Sequence, residues 1–189
     1  MGDTPFTGLV TREIRPGLDL MVAGARLLEA EEKLREKPRD KRRTRLARRL
    51  AEIEAESYEV VILDCPPSQT LLLENAYEAA DEVVLPAKLD PLSIPALDRT
   101  RLLVKSSNAA RERPLKIDGI LPTFYDLRTH VSSDVLEALR ERFTKILSPI
   151  RINAALAEAP SRGQTIFDFD GSARGAVDYA LLAEDLRLD

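Results

Sequence analysis

The first part of the chain alternates short extended stretches with helical ones. Residues 9–14 and 18–22 have the pattern of two strands, and Pro16-Gly17 between them is a turn signal. This arrangement predicts a small hairpin leading into a sheet. A helix should follow, because Leu27, Ala30 and Leu34 are spaced for one helical face, and Pro38 would end it.

Two stronger patterns come next. A second helix is predicted from about residue 41 to residue 56, with a buried stripe formed by Leu46, Leu50 and Ile53. The segment 59–63 (Glu-Val-Val-Ile-Leu) is β-branched and apolar on both faces. That composition is typical of a parallel strand covered by helices on both sides.

Helices and strands then alternate to the last residues. The pattern predicts strands at 83–86, 117–121 and 145–150, and helices over about 71–80, 94–110 and 174–187, with a further helix whose apolar residues step by four: Val131, Val135, Leu139 and Phe143. In the final helix, Val177, Leu181 and Leu188 are expected to point inward. The alternation predicts a single α/β domain over residues 1–189, with a mostly parallel sheet and helices on both faces.

Composition and charge restrict the function. The chain has 189 residues, is 44% apolar and carries a net charge of −4, so nucleic-acid binding would need a local basic patch. One cysteine (Cys65) excludes a disulfide within the chain, and we expect a reducing, cytoplasmic location. No apolar run approaches the ~20 residues of a membrane helix, and no signal peptide is evident. A lone histidine (His130) argues against a metal or a Ser-His-Asp site.

The residue after the apolar segment 59–63 is the main candidate for chemistry. Asp64 begins the loop Asp-Cys-Pro-Pro-Ser, and an acid at the tip of a buried strand is the Walker B arrangement, where Mg²⁺ or its water shell would sit. A strand-terminal aspartate also often caps the next turn. The spacing alone leaves both interpretations open.

Several longer strings resemble the ParA/Soj partition ATPases. Residues 58–68 (Tyr-Glu-Val-Val-Ile-Leu-Asp-Cys-Pro-Pro-Ser) are similar to the family's Walker B and switch II segment, and residues 79–86 resemble its next helix and strand. Residues 119–129 are similar to its strand and loop near the nucleotide base, and 158–166 to its Glu-Ala-Pro-Ser segment. Residues 172–176 resemble the start of its final helix. The resemblance implies a truncated deviant P-loop NTPase fold.

The sequence departs from that family at the phosphate-binding loop. No Gly-x-x-x-x-Gly-Lys-[Ser/Thr] motif is found in these 189 residues, and none of the eight glycines precedes a lysine. Intact family members use that loop to hold ATP and Mg²⁺. The resemblance therefore implies a domain missing the loop's strand and first helix, with no cofactor, no ATPase activity of the isolated chain, and Asp64 as a vestigial Walker B residue. Thr123 would lie near a base only if a nucleotide binds.

The missing strand would leave unpaired sheet edges, which invite pairing with another chain. The remaining strands could close the gap, the hairpin could move in, or a partner could fill the edge. We expect a homodimer, since the family also works as dimers.

Two sets of basic residues are candidates for contact with non-specific DNA. The resemblance places a DNA-contacting arginine at Arg128, whereas Ala155 takes the position of the family's second basic residue, which Arg151 and Arg162 could partly replace. Independently, residues 39–49 contain seven basic side chains and one acid, and Arg42, Arg45 and Arg49 would share one helical face. The basic residues are Arg39, Lys41, Arg42, Arg43, Arg45, Arg48 and Arg49. The other interpretation is a solvated face that pairs with the acidic stretches 29–36 and 52–56.

Three hypotheses for function follow. The first is a non-catalytic ParA-like protein that binds DNA or a partition partner without ATP in chromosome or plasmid segregation, associated with the nucleoid if DNA is bound. The second is an ATPase whose phosphate loop comes from another polypeptide. The third is a decayed fragment without present activity. None of them involves a membrane.

Overall fold

The computed structural model describes residues 6–24, 27–53, 58–66, 70–109 and 111–188. By its contacts the chain divides into two compact units. The first comprises Met1–Asp81 and Ser107–Leu115, and the second Glu82–Ser106 and Lys116–Asp189. Each unit is described by itself. Among the described helices, none combines the length and apolar character needed to cross a membrane.

The first unit begins with the predicted hairpin. After a 3₁₀ turn at Phe6–Leu9, strand β1 (Thr11–Arg15) pairs antiparallel with β2 (Leu18–Leu20). Gly17 has a φ of +73°, a conformation that glycine adopts without strain, so the turn signal is confirmed. The hairpin forms a two-stranded sheet of its own.

The described residues of the first unit also form helices α1 (Leu27–Arg35), α2 (Arg39–Arg43), α3 (Arg45–Leu50) and α4 (Leu71–Ala79). Helix α1 buries Ala30 and Leu34, as predicted, and ends before Pro38. Helix α4 also matches its prediction.

The single helix predicted over 41–56 is wrong, because the helix is interrupted at Thr44; residues 54–56 of that prediction lie outside the described residues. Asn75 of α4 is buried at this break, where its side-chain amide donates to the Arg42 carbonyl (2.8 Å) and accepts from the Leu46 amide (3.1 Å). One side chain thus satisfies a carbonyl at the end of α2 and an N–H at the start of α3, groups that a helix end leaves without partners. The break is a tertiary contact that periodicity does not report.

The strand predicted at 59–63 is also wrong. The described residues 58–66 have no strand assignment, and Val60, Val61 and Ile62 are exposed, Ile62 to 77%. A strand needs a neighbour to pair its N–H and C=O groups. Among the described residues, no strand is hydrogen-bonded to this segment, so its apolar side chains are not part of a sheet.

The second unit contains the parallel sheet. Strand β3 (Glu82–Lys88) pairs in parallel with β4 (Lys116–Thr123), and helix α5 (Ser93–Asn108) follows β3 in the chain. The predicted strand at 145–150 runs beside β4 in the parallel sense but forms only isolated bridges, Ile120 with Ile146 and Tyr125 with Arg151. The α/β class with a parallel sheet is confirmed.

Helices α6 (His130–Arg142) and α9 (Arg174–Asp185) pack against this sheet. Between them in the chain lie α7 (Ala154–Glu158), a 3₁₀ turn at Ala159–Arg162 and α8 (Ile166–Asp170). The core gathers residues from β3, α5, β4 and α6, including Leu85, Leu97, Ile120 and Leu139. In α6, Val135 and Leu139 are buried as predicted, but Val131 in the first turn is exposed.

Helix α9 is rotated relative to its prediction. Val177 and Leu181 are exposed, whereas Ala176, Asp178 and Leu182 are buried. The buried side of the helix includes the Asp178 carboxylate, which accepts hydrogen bonds from Arg151. A count of apolar spacing alone would not anticipate it.

Candidate nucleic-acid interface

Main-chain hydrogen bonds join the loop that follows β4 to residues 150–152. The Tyr125 amide donates to the Ile150 carbonyl (3.0 Å), and the Ile152 amide donates to the Tyr125 carbonyl (3.1 Å). Thr123 is half-buried at the end of β4, and Phe124 after it has a φ of +54° and is exposed. The loop therefore leaves the carboxyl end of β4 in a defined direction, where ligands often bind in parallel sheets.

Arg128 in this loop is held by Asp126. Its Nε donates to Asp126 Oδ1 (2.9 Å) and a terminal nitrogen to Oδ2 (2.9 Å), a two-pronged contact that fixes the plane of the guanidinium. Hydrogen bonds from Arg128, first from its side chain and then from its amide, lower the pKa of Asp126 from 3.8 to about 2. The Arg128 side chain is nevertheless 84% exposed. Its orientation is fixed while its outer face stays available.

Arg151 forms a more buried pair with Asp178 of α9. The carboxylate of Asp178 accepts from the Arg151 amide (2.9 Å), from Nε (3.0 Å) and from a terminal nitrogen (2.5 Å). The side chain of Asp178 is only 4% exposed and that of Arg151 is 30% exposed. The hydrogen bonds to Asp178 raise the pKa of Arg151. This pair joins α9 to the segment beside β4.

These residues border one cavity of about 340 Å³. Its walls come from the loop after β4, the segment around Arg151 and the first residue of α9, and they consist of Tyr125, Asp126, Leu127, Arg128, Arg151, Ile152 and Arg174. Arginine, aromatic and aliphatic side chains surround the same space. Such a set can contact both the charged backbone and the less polar sugars of a nucleic acid.

Arg162, another predicted site residue, is not in the cavity wall. It is exposed on the 3₁₀ turn, and its guanidinium lies 5.2 Å from the centroid of the Phe169 ring. Arg128 and Arg151 are therefore brought together, whereas Arg162 is not.

The basic segment 39–49 belongs to the first unit. Because the break at Thr44 divides it into α2 and α3, the single helical face proposed for Arg42, Arg45 and Arg49 does not exist. Arg43 is paired with Glu78 (3.2 Å) and Arg49 with Glu52 (2.8 Å), so both are engaged with carboxylates. The exposed members of the segment are Arg39, Lys41, Arg45 and Arg48.

Asp64 and Cys65 lie in the segment that forms no strand. Both side chains are exposed, while partial burial of the sulfur and then the charge of Asp64 raise the pKa of the Cys65 thiol. In the described parts of the chain, no three metal-binding side chains of the His, Cys, Asp or Glu type lie together.

Two residues at the cavity were not predicted as site residues. Asp178 lies on the apolar-spaced final helix, where nothing in its spacing distinguishes it from a solvent-exposed acid. Arg174 has a weak signal, since it begins the predicted final helix and lies within the string 172–176 that resembles the family. Both became visible only when α9 was placed beside Arg151.

Comparison with known sequences identifies relatives. The family model described as "AAA domain" matches residues 1–117. The sporulation initiation inhibitor protein Soj of Bacillus subtilis is 34% identical over 171 residues, which cover 89% of this chain and 66% of that protein. The chromosome partitioning protein ParA of Caulobacter vibrioides is 31% identical over 189 residues, covering 98% of this chain and 70% of that protein. This chain spans 64% of the length of the first relatives found, which come from Pseudomonas putida.

The fold has a close structural counterpart in the apo form of McdA from Cyanothece. The two superpose with a TM-score of 0.84 at 20% sequence identity, over 97% of this chain and 73% of that one. At this identity the likeness concerns the fold alone.

Proposed function

We propose that this chain, which belongs to the ParA/Soj family of partition ATPases, acts in chromosome or plasmid partition by binding DNA without ATP. Its site would be in the second unit, at Arg128 and the cavity beside it. The relative from Caulobacter vibrioides is named as a chromosome partitioning protein, which supports this role. We also propose that the protein is located in the cytoplasm and associates with the nucleoid through DNA.

The observation that carries this proposal is the state of Arg128. Its guanidinium is fixed in orientation by Asp126 and is 84% exposed. Part of the entropy cost of ordering this long side chain is therefore met before a ligand arrives. An arginine that is ordered, outward-facing and next to a cavity suits a phosphate oxygen, whose attraction is mainly electrostatic. Binding through such contacts needs no nucleotide.

Fluorescence anisotropy of a labelled duplex of arbitrary sequence tests the proposal. Without nucleotide, we expect binding that weakens steeply between about 50 and about 200 mM salt, because each phosphate contact releases counterions. Adding Mg-ATP should leave the affinity unchanged. No binding at the lower salt concentration would refute the proposal and direct attention to a protein partner. A large increase in affinity with Mg-ATP would favour the hypothesis of a nucleotide-dependent protein.

The exposed part of the basic segment provides a second contact surface in this proposal. Arg43 is unsuitable for the test, because reversing its charge would break the Glu78 ion pair in the first unit. We expect the double change Lys41→Glu and Arg45→Glu to weaken DNA binding. The matched control is Arg99→Glu with Lys105→Glu, which alters the net charge equally at two exposed positions of α5. Equal affinities of the two double variants would remove the basic segment from the interface.

We also propose a homodimer, supported by the exposed residues Val60, Val61 and Ile62. Apolar β-branched residues without strand partners are suited to pairing with a second chain. Sedimentation velocity over a range of protein concentrations tests this. A monomer at every concentration would contradict the homodimer. If the wild-type protein is a dimer and Ile62→Lys dissociates it, the interface includes this segment.

A further inference from the structure

Residues 145–152, here called the edge segment, lie at an edge of the parallel sheet in the second unit. On the side of β4, the Leu147 amide donates to the Ile120 carbonyl (2.9 Å). The Ile150 amide donates to the Pro122 carbonyl (2.9 Å). Among the described residues, no strand pairs with the other side of the edge segment, here called its open side. Backbone N–H groups on such a side are a template for pairing with another chain.

Two carboxylates of α9 occupy the open side. The Ser148 amide donates to Asp185 Oδ2 (2.6 Å), and the Arg151 amide donates to Asp178 Oδ2 (2.9 Å). Pro149 between these donors has no N–H. From residue 148 to residue 151, every backbone N–H is therefore bonded to β4 or to α9, and none is left for an added strand.

The two aspartates are spaced like the donors that they bind. Asp178 and Asp185 are seven residues apart in α9, which corresponds to about 10.5 Å along a helix. Ser148 and Arg151 are three residues apart, which corresponds to about 10 Å in an extended chain. Leu182 shares this face of α9 and packs into a buried cluster with apolar residues of the edge segment. The helix thus lies along the edge segment, antiparallel to it, with its carboxylates at the height of the N–H groups.

Asp185 is an unfavourable residue for the helix itself. It is the last residue of α9, where the partial negative charge of the carboxyl end disfavours a second negative charge. Its carboxylate instead accepts a charge-assisted hydrogen bond from the Ser148 amide. The contact with the edge segment therefore accounts for an acid at a position where the helix alone would disfavour one.

The chain contains a segment that could add to an open edge. Val60, Val61 and Ile62 are β-branched, exposed and without a strand partner among the described residues. If this segment of one copy paired with the edge segment of the next, unlike surfaces would be joined. Such pairing either closes into a ring or continues as an open chain of copies. Occupied donors on the edge segment prevent this form of assembly.

We propose that α9 guards the sheet edge: Asp178 and Asp185 occupy the backbone donors of the edge segment and thereby prevent it from adding residues 59–63 of a second copy. The proposal rests neither on DNA binding nor on the homodimer. Asp178 also binds the Arg151 side chain, so its replacement disturbs more than the edge. Asp185 is therefore the residue on which to test the guard.

The test compares three variants with the wild-type protein. Asp185→Ala removes the acceptor, Asp185→Asn keeps an oxygen that accepts from the Ser148 amide, and Glu184→Ala is the control, which removes an equal charge at the exposed neighbouring position. By NMR, we expect the Ser148 amide to exchange its hydrogen roughly fivefold faster in Asp185→Ala, the factor to which one net hydrogen bond corresponds.

Sedimentation velocity measures the consequence for assembly. At equal protein concentration, Asp185→Ala should form species larger than those of the wild type, whereas Asp185→Asn and Glu184→Ala should sediment like the wild type. Adding Ile62→Lys to Asp185→Ala should abolish the larger species and give the sedimentation of Ile62→Lys alone. Alanine is a strong helix former and removes an unfavourable charge, so α9 is retained, which circular dichroism checks.

Three results would overturn the proposal. Unchanged exchange of the Ser148 amide in Asp185→Ala would show that Asp185 does not protect this donor. Faster exchange without larger species would show that a free donor at this edge adds no strand. Larger species that persist with Ile62→Lys would show that residues 59–63 are not the added segment. The oligomeric state of the wild type and its affinity for DNA are measured separately, so failure of either leaves the guard standing.

Discussion

Asp178 offers the sharpest test of the tertiary arrangement, since replacing it by alanine removes the carboxylate that joins α9 to the segment beside β4. The change deletes the hydrogen bonds from the amide, Nε and terminal nitrogen of Arg151. It leaves a partly buried guanidinium without its counter-charge. We expect the free energy of unfolding to fall by about 3 kcal/mol.

The magnitude comes from the burial of the two partners. Removing one member of a buried ion pair costs about 3–5 kcal/mol, because the remaining charge is left uncompensated. Asp178 is 4% exposed and meets that condition, whereas Arg151 is 30% exposed and can regain some hydration. The lower end of the range therefore applies. Asp178→Asn should cost less, since its amide oxygen still accepts from the Arg151 N–H.

Urea unfolding followed by circular dichroism measures this effect. With an m-value of about 2 kcal/mol/M, a loss of 3 kcal/mol lowers the midpoint by roughly 1.5 M. The control is Arg128→Ala, which breaks another arginine–aspartate pair at the same cavity, but one whose arginine is largely exposed, so its midpoint should fall by less than that of Asp178→Ala. If Asp178→Ala shifted the midpoint by less than about 0.5 M, or no more than the control, the pair would not hold α9 in place.

Two further predictions concern packing and ionisation. Gly175→Ala should destabilise the fold by about 1–3 kcal/mol, because the added Cβ would lie 2.6 Å from Leu156 Cγ. The higher helix propensity of alanine offsets up to ~1 kcal/mol of this loss. Thermal unfolding measures it, with Gly24→Ala as a control in open space, and equal melting temperatures would contradict the close packing. An NMR titration should find the pKa of Asp126 at about 2 in the wild type and nearer 3.8 in Arg128→Ala. Because the pKa of Asp126 is lowered in the folded state, stabilisation by this pair is present above about pH 4 and is lost as the pH falls towards 2. If Arg128→Ala left the pKa of Asp126 unchanged, the pairing would be contradicted.

Elements that depend on neighbouring residues could be predicted from the sequence. The hairpin follows from Pro16-Gly17, and strands β3 and β4 follow from short apolar runs bounded by helical stretches. Their alternation with helices correctly indicates a parallel α/β sheet, because a parallel pair needs a crossover connection. The family also follows from the sequence, since its characteristic strings are contiguous. Arg128 as a candidate contact came from the same source.

Tertiary contacts decided the rest. Asn75 breaks the helix predicted over 41–56, and it lies 33 residues from Arg42, whose carbonyl it binds. Asp178 of α9 binds Arg151, 27 residues away, and Arg174 of the same helix lies in the wall of the cavity. Segment 59–63 has the strongest strand pattern in the chain and forms no strand, because a strand is completed by its neighbour. The spacing of apolar residues indicates which face of a segment can be buried. The partner of a buried polar side chain, or of a strand's backbone N–H and C=O groups, comes from residues distant in the chain and is decided only by the tertiary structure.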